Sequence, residues 1–276
     1  FNIDLNKDTI ISLVSATSFM IVAFLSPFLS GIADYLGNKK IFMKFFVFLG
    51  SFSCIGLYWF ELETIQFGLL LYVLALIGLW GSLVFYNSYL PDITYPDQTN
   101  MVSAKGFTMG YIGSVILLII NLIMITYYEQ LNLSSEVQAM KYSFVLVGLW
   151  WLLFSQYSFY HLPKGNKGVK LPKNVIWNGF RELKGVYKII RSSKKFTRFL
   201  TAFFVFSFSL QTVLFIASYF GVTEIEWSSS AEQTTGLIIS IILIQIIAIF
   251  GAILFTKAAE KFGNIIVLTI AIASWS

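Results

Sequence analysis

The charged side chains of this sequence that could do chemistry are concentrated in two short turns. The first turn is Gly31-Ile32-Ala33-Asp34-Tyr35-Leu36-Gly37-Asn38-Lys39-Lys40, and Ala259-Glu260-Lys261-Phe262-Gly263-Asn264 repeats its pattern near the other end of the chain. In each copy an acidic residue follows an alanine, and the second residue after it is apolar and leads into Gly-Asn. Six apolar runs separate the copies. An acidic turn that recurs at this spacing is typical of a transporter built from two related halves.

Covalent chemistry has no comparable residues. The sequence has no phosphate-cradling loop, no spacing typical of metal ligands and no nucleophile with a nearby base. Cys54 is the single cysteine, which excludes a disulfide framework. We therefore predict no catalytic residues, no metal, no cofactor and no enzymatic activity.

The elements that carry the two turns are membrane spans. Hydrophobic residues make up 57% of the chain and charged residues 12%, too few charges to cover a water-facing surface. Seven uncharged runs are close to the ~20 residues that a spanning helix needs. The runs are Thr9–Ala33, Phe45–Phe60, Thr64–Pro91, Gly106–Tyr128, Tyr142–Tyr160, Phe199–Thr223 and Gln233–Thr256, and an eighth begins at Phe262. Barrel strands would be shorter and would alternate in polarity, so we predict an all-α polytopic membrane helix bundle.

Basic residues predict the orientation. All but two of the 19 lysines and arginines, Lys7 and Lys141, fall in loops on one side of the predicted membrane. By the positive-inside rule, the two motif loops and the long central loop are cytoplasmic. We expect a multi-pass protein of a bacterial inner membrane.

This topology predicts that helices are missing from the chain. A transporter of two six-helix halves normally begins in the cytoplasm, whereas this chain begins on the outer side. We interpret the visible spans as helices two to eight with the start of helix nine. The alternative is an unusual protein of seven and a half spans. We predict an N-terminal bundle without its first helix at 1–160, a basic cytoplasmic loop at 161–198 and the start of a C-terminal bundle at 199–276.

The turn Gly31-x-x-Asp34-x-x-Gly37-x-Lys39-Lys40 resembles the loop signature of the major facilitator superfamily. Phe85-Tyr86-Asn87-Ser88-Tyr89-Leu90-Pro91-Asp92, Val102-Ser103-Ala104-Lys105-Gly106-Phe107, Gly110-Tyr111-Ile112-Gly113-Ser114 and Gln211-Thr212 with Gln245 resemble its vacuolar amino-acid effluxer branch and bacterial relatives of unassigned substrate. The resemblance covers nearly the whole chain and implies the major facilitator fold.

It also implies a gating role for the turns, in which the loop acid stabilises one state by meeting the positive end of a helix in the other half. The residues to which this role carries over are Gly31, Asp34, Gly37, Lys39, Lys40, Glu260 and Gly263. The match is incomplete, because Tyr35 and Asn38 stand where the signature usually has basic residues. The alternative for Asp34 and the lysines is a role as topology anchors only.

Polar residues within the spans predict a substrate cavity. Asparagine and glutamine amides in an apolar helix must find a partner in protein or water. The predicted cavity residues are Tyr86, Asn87, Tyr111, Gln211, Thr212 and Gln245. The alternative for such amides is hydrogen bonding between helices. For Gly106, Gly110 and Gly113, close helix packing is the favoured interpretation.

The central loop contains a basic amphipathic segment. From Val175, apolar residues recur every three or four positions, and Arg181, Lys184, Lys188 and Arg191 fill positions between them. Such a helix is suited to an anionic membrane surface, which is a nearer anion than nucleic acid. We predict membrane lipids as partners, with anionic lipid at this loop, and no nucleic acid.

These observations predict a permease that moves a small neutral or zwitterionic solute by rocker-switch alternating access. The resemblance adds an amino acid as the first substrate to test. Two alternatives remain: a lipid flippase or scramblase on the same fold, which would show a polar groove opening sideways, and a non-transporting membrane receptor or scaffold.

Overall fold

The computed structural model describes residues 7–163, 165 and 175–274, and no β-strand occurs among them. Ten α-helices follow one another in this part of the chain. They are α1 (Lys7–Leu36), α2 (Lys39–Gly56), α3 (Ile65–Ser88), α4 (Leu90–Ile93), α5 (Thr99–Thr126), α6 (Glu136–His161), α7 (Val175–Ser192), α8 (Lys194–Thr223), α9 (Ser230–Phe262) and α10 (Asn264–Ala273). Two short 3-10 turns, Leu57–Trp59 and Leu62–Thr64, join α2 to α3.

Seven of these helices are long and apolar enough to cross a membrane, namely α1, α2, α3, α5, α6, α8 and α9. Large apolar side chains are exposed along all of them, as expected where lipid rather than water surrounds a helix. The predicted all-α bundle and its seven spans are therefore confirmed. The chain is a multi-pass integral membrane protein.

The ends of several helices differ from those of the apolar runs that predicted them. Helix α2 begins at Lys39 and α5 at Thr99, so each includes basic or polar residues before its apolar stretch. Helix α3 ends at Ser88, three residues before the predicted end at Pro91. Hydropathy marks only the part of a helix that lies in hydrocarbon, and backbone hydrogen bonding continues past it.

The helices group into two compact units by contact. Unit 1 comprises Phe1–Asp92 and Met140–Leu200, and unit 2 comprises Ile93–Ala139 and Thr201–Ser276. This grouping differs from the chain-order division at 160 and 198, because α5 belongs with α9 and α10. The chain-order halves remain a prediction, and residues 164 and 166–174 of the central loop lie outside the described part.

In unit 1, α2 packs backbone to backbone against its neighbours. A Cβ atom added to Gly78 of α3 would lie against the Cα of Gly50 and 2.7 Å from the Phe46 carbonyl oxygen. A Cβ added to Gly148 of α6 would lie 2.6 Å from the Ser51 carbonyl oxygen of α2. Small residues allow this close approach, which gives dispersion contacts where lipid gives no hydrophobic driving force.

In unit 2, α5 packs against α9, and α10 follows α9 around a tight turn. Ile125 of α5, Ile242 of α9 and Val267 of α10 are buried. A Cβ added to Gly110 would meet no atom within 4 Å. The close-packing interpretation of Gly110 is therefore wrong for this structure, because no neighbouring helix approaches at that position.

Candidate functional site

The first copy of the turn joins α1 to α2. Gly31 is buried in α1, and the backbone of Asp34 is helical, although its side chain lies outside the described part. Gly37 has φ +60°, a left-handed conformation that glycine adopts without steric cost. The amide of Asn38 then donates to the Ala33 carbonyl oxygen at 3.2 Å, which closes the end of α1 in the manner of a glycine C-cap.

The two lysines after this turn bind the ends of other helices. Lys39 Nζ donates to the Ser88 carbonyl oxygen at 3.2 Å and to Asp92 Oδ2 at 3.1 Å. Lys40, with 9% of its surface exposed, donates to the Leu162 carbonyl oxygen at 2.7 Å. A lysine in the first turn of its own helix is poorly placed relative to the helix dipole. Here each ammonium instead meets the negative, C-terminal end of α3 or α6.

The central loop covers the same turn. A Cβ added to Gly165 would lie 2.6 Å from the Gly37 carbonyl oxygen and 2.7 Å from the Asn38 Cα. Nearby, Tyr89 is 4% exposed, and burial followed by the carboxylate of Asp92 raises the pKa of its phenol above the usual range. The first copy is thus enclosed by segments of unit 1, and Tyr89 stays neutral at physiological pH.

The second copy joins α9 to α10 and also ends a helix at a glycine with positive φ, but its closing hydrogen bond comes from the glycine itself. Gly263 has φ +86°, and its amide donates to the Ala259 carbonyl oxygen at 2.9 Å. Glu260 is exposed on the last turn of α9. Asn264, the counterpart of Asn38, accepts a 3.0 Å hydrogen bond at Oδ1 from Asn100 Nδ2 at the start of α5.

Four of the predicted cavity residues lie near the middle of spans in unit 2. Gln245 of α9 accepts a hydrogen bond from the Ser114 hydroxyl of α5. Tyr111 lies one turn before Ser114 and stacks on Phe107. On α8, Thr212 donates to the carbonyl oxygen of Phe208 in its own helix at 2.8 Å, and Gln211 is exposed. Among these four residues, Gln245 is the one for which the described part of the chain shows a hydrogen bond to another helix.

Asn121 adds an unpaired acceptor to the same unit. Seven residues after Ser114, it lies on the same face of α5 about two turns further along. It is 7% exposed, and its Oδ1 has no hydrogen-bond partner among the described residues. An unmet carbonyl oxygen between spanning helices is costly, so it favours a hydrogen-bond donor from a ligand or water.

The remaining predicted cavity residues, Tyr86 and Asn87, lie in unit 1. Both are exposed in the last turn of α3, next to the Ser88 carbonyl that Lys39 binds. Tyr86 and Asn87 therefore lie at the end of α3 that is close to the first turn, and not near the middle of the span. A cavity role for them would therefore require a solute at that end.

A small apolar crevice lies between α1, α2 and α3, with Leu25, Phe46 and Phe85 among its lining residues, and it contains none of the predicted cavity residues. In the described part of the chain, no group of three or more His, Cys, Asp or Glu side chains could hold a metal ion.

Sequence reasoning missed the partners of the candidate residues. Asp92, Leu162 and Gly165 surround the first turn, Asn100 binds the second, and Ser114 binds Gln245. Ser114 falls within a stretch that the family resemblance included, but nothing in the sequence paired it with Gln245.

Contacts also group the helix ends in each unit. In unit 1, the first turn shares one end with Asp92 and Leu162, while Lys141 Nζ meets Glu61 Oε1 at 2.8 Å at the other end of α2. In unit 2, the start of α5 shares an end with the α9–α10 turn. This grouping of ends within each unit agrees with the loops that the charge pattern placed together.

Comparison with known proteins gives the family. A family model described as "Vacuole effluxer Atg22 like" matches residues 1–276. The chain is 32% identical over 258 residues to the uncharacterized MFS-type transporter YxiO of Bacillus subtilis, covering 93% of this chain and 59% of that protein. It is 22% identical over 309 residues to autophagy-related protein 22-2 of Aspergillus niger, covering 85% of this chain and 50% of that protein.

A second fungal relative, autophagy-related protein 22-2 of Neosartorya fischeri, is 22% identical over 277 residues, covering 73% of this chain and 45% of that protein. The chain spans about half the length of the curated relatives it matches. No solved structure matches it. The match over every residue confirms the branch that the sequence motifs predicted, and the chain belongs to the vacuole effluxer Atg22-like family.

Proposed function

We propose that the protein is a permease, and not an enzyme, that moves a small neutral or zwitterionic solute across the membrane by alternating access. An amino acid is the first candidate, in keeping with the vacuole effluxer description of the family. The Bacillus relative carries the name of a transporter, which supports the same class of activity. The polar groups of the candidate site are amides and hydroxyls, which suit an uncharged or zwitterionic cargo.

The observation that carries this proposal is the Gln245–Ser114 hydrogen bond between two spanning helices. A polar pair amid apolar residues is costly to keep in a membrane unless it has a use, and such residues often mark substrate paths. Asn121 supplies an unpaired acceptor on the same face of α5, which suits an ammonium group. The central parts of the described spans contain no charged residue that could offset a net ionic charge on the cargo.

Alternating access gives the turns their role. By chain order, α5 belongs to the first predicted half, and α9 and α10 belong to the second. The Asn100–Asn264 hydrogen bond therefore joins the two halves at the end of the span that carries the second turn. When the halves separate at that end this bond must break, so we infer that it is a gate contact. We infer further that both turns face the cytoplasm of a bacterial cell.

Reconstitution into liposomes tests the proposal. Uptake of radiolabelled neutral amino acids is measured beside uptake of lysine and glutamate. Gln245→Leu should weaken binding of the transported solute by ~1 to 3 kcal/mol, the usual cost of leaving a polar partner unmet. Gln156→Leu is the matched control, because Gln156 bonds to the Leu152 carbonyl oxygen of its own helix.

Three outcomes would contradict the proposal. Transport confined to strongly charged solutes would place the binding chemistry elsewhere. Equal effects of Gln245→Leu and Gln156→Leu would remove the special role of the α5–α9 pair. Translocation of a fluorescent phospholipid without any solute flux would favour a lipid flippase instead.

A further inference from the structure

Helix α7 carries a stripe of four exposed cations. Arg181, Lys184, Lys188 and Arg191 recur at spacings of three and four, which places them on one side of the helix. All four are exposed, and Glu182 is the single acid in the sequence of α7. A single acid cannot neutralise four cations, so this side of the helix keeps a net positive charge.

Exposed aromatic side chains border this stripe. Trp177 lies one turn before Arg181 and is 69% exposed, while Phe180 and Tyr187 are 55% and 60% exposed. Large aromatic rings exposed to plain water are unfavourable. At a membrane surface the combination of rings and cations is favourable, because the rings enter the boundary of the acyl chains and the cations meet phosphate groups.

Another side of α7 is occupied by protein. Helix α7 packs against α1, and Leu183 and Ile190 are its half-buried apolar residues. The packing against α1 thus uses only part of the apolar residues of α7. Phe180 and Tyr187, which complete that face by helical position, remain available to another apolar environment.

A short corner fixes α7 to a spanning helix. Only Ser193 separates α7 from α8, and Thr197 Oγ1 of α8 donates to the Ile190 carbonyl oxygen at 2.8 Å. The Phe196 amide donates to Ser193 Oγ at 3.3 Å, which caps the start of α8. The candidate span of α8 begins at Lys194, three residues after Arg191, and its uncharged run begins at Phe199. This end of the cationic stripe must therefore lie at the level of the lipid headgroups.

We propose that the stripe of α7, with Trp177, Phe180 and Tyr187, is a binding surface for anionic phospholipid headgroups. The inference is independent of the transported solute, since it uses none of the residues of the α5–α9 pair. Phosphate groups of the bilayer are the anions that the α7–α8 corner brings within reach. Because cations near an anionic leaflet each add to binding, removal of one should lower lipid affinity about fivefold.

The experiment uses the reconstituted protein with Cys54→Ser and one added cysteine carrying an environment-sensitive fluorophore. Phe180→Cys reports the stripe, and Ile189→Cys, exposed on the other side of α7, is its control. Emission is compared in phosphatidylcholine vesicles with and without phosphatidylglycerol. We expect a blue shift with phosphatidylglycerol at position 180 alone, which high salt reverses.

Charge variants then test the cations. Arg181→Gln/Lys184→Gln/Lys188→Gln should abolish the phosphatidylglycerol response of the label at position 180. Lys105→Gln/Lys257→Gln/Lys261→Gln removes the same charge from other helix ends and should preserve it. Identical spectra in both vesicle types, before any charge is changed, would overturn the proposal. It would also fail if soluble glycerol phosphate or an oligonucleotide gave the shift in phosphatidylcholine vesicles, since the partner would then be a free phosphate or a nucleic acid.

Discussion

The two copies of the Gly-Asn turn share a pattern of helix termination but not an anchorage. In each copy a carbonyl of alanine accepts the closing hydrogen bond, and a glycine with positive φ ends the helix. The first copy is then held by Lys39, Lys40 and the close approach of Gly165. The second is held by the hydrogen bond between exposed side chains of Asn100 and Asn264.

This difference teaches that the sequence repeat specifies a glycine-terminated helix end, while the surroundings decide how firmly each copy is held. The first copy ties α1 and α2 to the ends of α3 and α6 within one unit, through a buried ammonium and charged hydrogen bonds. The second contact is a neutral amide pair in reach of water, whose net contribution is small. A weak contact suits a gate that opens in each cycle, and a strong one suits a fixed frame.

The largest expected effect comes from the close packing of α2 against α3 in the unit that contains the first copy. Gly78→Ala should destabilise the protein by about 3 kcal/mol, because the new Cβ meets backbone atoms of Gly50 and Phe46 that cannot rotate away. Gly110→Ala is the control, since its Cβ meets nothing within 4 Å. Thermal unfolding in detergent measures both variants. Similar melting temperatures for the two variants would show that the close α2–α3 contact does not stabilise unit 1.

Loss of a lysine should come next in size. Lys40→Met keeps the length of the side chain but leaves the Leu162 carbonyl without its charged donor, at a cost of about 2 kcal/mol. Asn264→Ala removes an exposed neutral bond and should cost about 0.5 kcal/mol. Chemical denaturation measures the loss in free energy of unfolding for each variant, and the two losses can then be compared. A larger loss for Asn264→Ala would reverse the assignment of frame and gate.

Substitution of each turn glycine by asparagine tests whether the two turns differ in backbone conformation. Gly37 has φ +60°, in the left-handed region that asparagine tolerates, so Gly37→Asn should cost well under 1 kcal/mol. Gly263 combines φ +86° with ψ 149°, a conformation that is almost restricted to glycine. Gly263→Asn should therefore cost about 1 to 3 kcal/mol. Equal melting temperatures for the two variants would contradict this reading of the turns.

The sequence was sufficient for the spans and the turns, because both depend on local signals. A run of about 20 apolar residues has few alternatives to a spanning helix. A glycine between two apolar runs likewise predicts the left-handed residue that ends α1.

Contacts between residues of different helices could not be predicted in the same way. Spanning helices such as α5 and α9 are apolar on every side, so no polar face shows which residues turn toward another helix. The pairing of Ser114 with Gln245, and the close approach of Gly50 to Gly78, depend on helix rotation and register. These quantities are set by packing among several helices, which one sequence does not reveal.

The smallest effect concerns the other end of unit 1, where α2 is followed by a surface ion pair instead of a buried lysine. Lys141 donates to Glu61 at 2.8 Å, and this hydrogen bond, followed by the lysine charge, lowers the pKa of the Glu61 carboxyl. A lowered carboxyl pKa stabilises the folded state at neutral pH, and this contribution disappears as the pH falls through the folded pKa. Because water surrounds Glu61, the effect should be minor.

The pair therefore sharpens the comparison between anchoring by buried and by exposed charges. Lys141→Gln should lower the melting temperature slightly at neutral pH, and the difference from the unmodified protein should begin to shrink at about pH 4, where free glutamates become protonated, and vanish once the pH has fallen through the lowered pKa of Glu61. Glu61→Gln should give the same small loss, with no further loss in the double variant if the two act only on each other. A difference that persisted unchanged into acid would mean that Lys141 stabilises α6 through its aliphatic stem rather than its charge. In that case the exposed end of unit 1 would be held by packing alone, and the charged anchorage of the first turn would have no counterpart at the other end of α2.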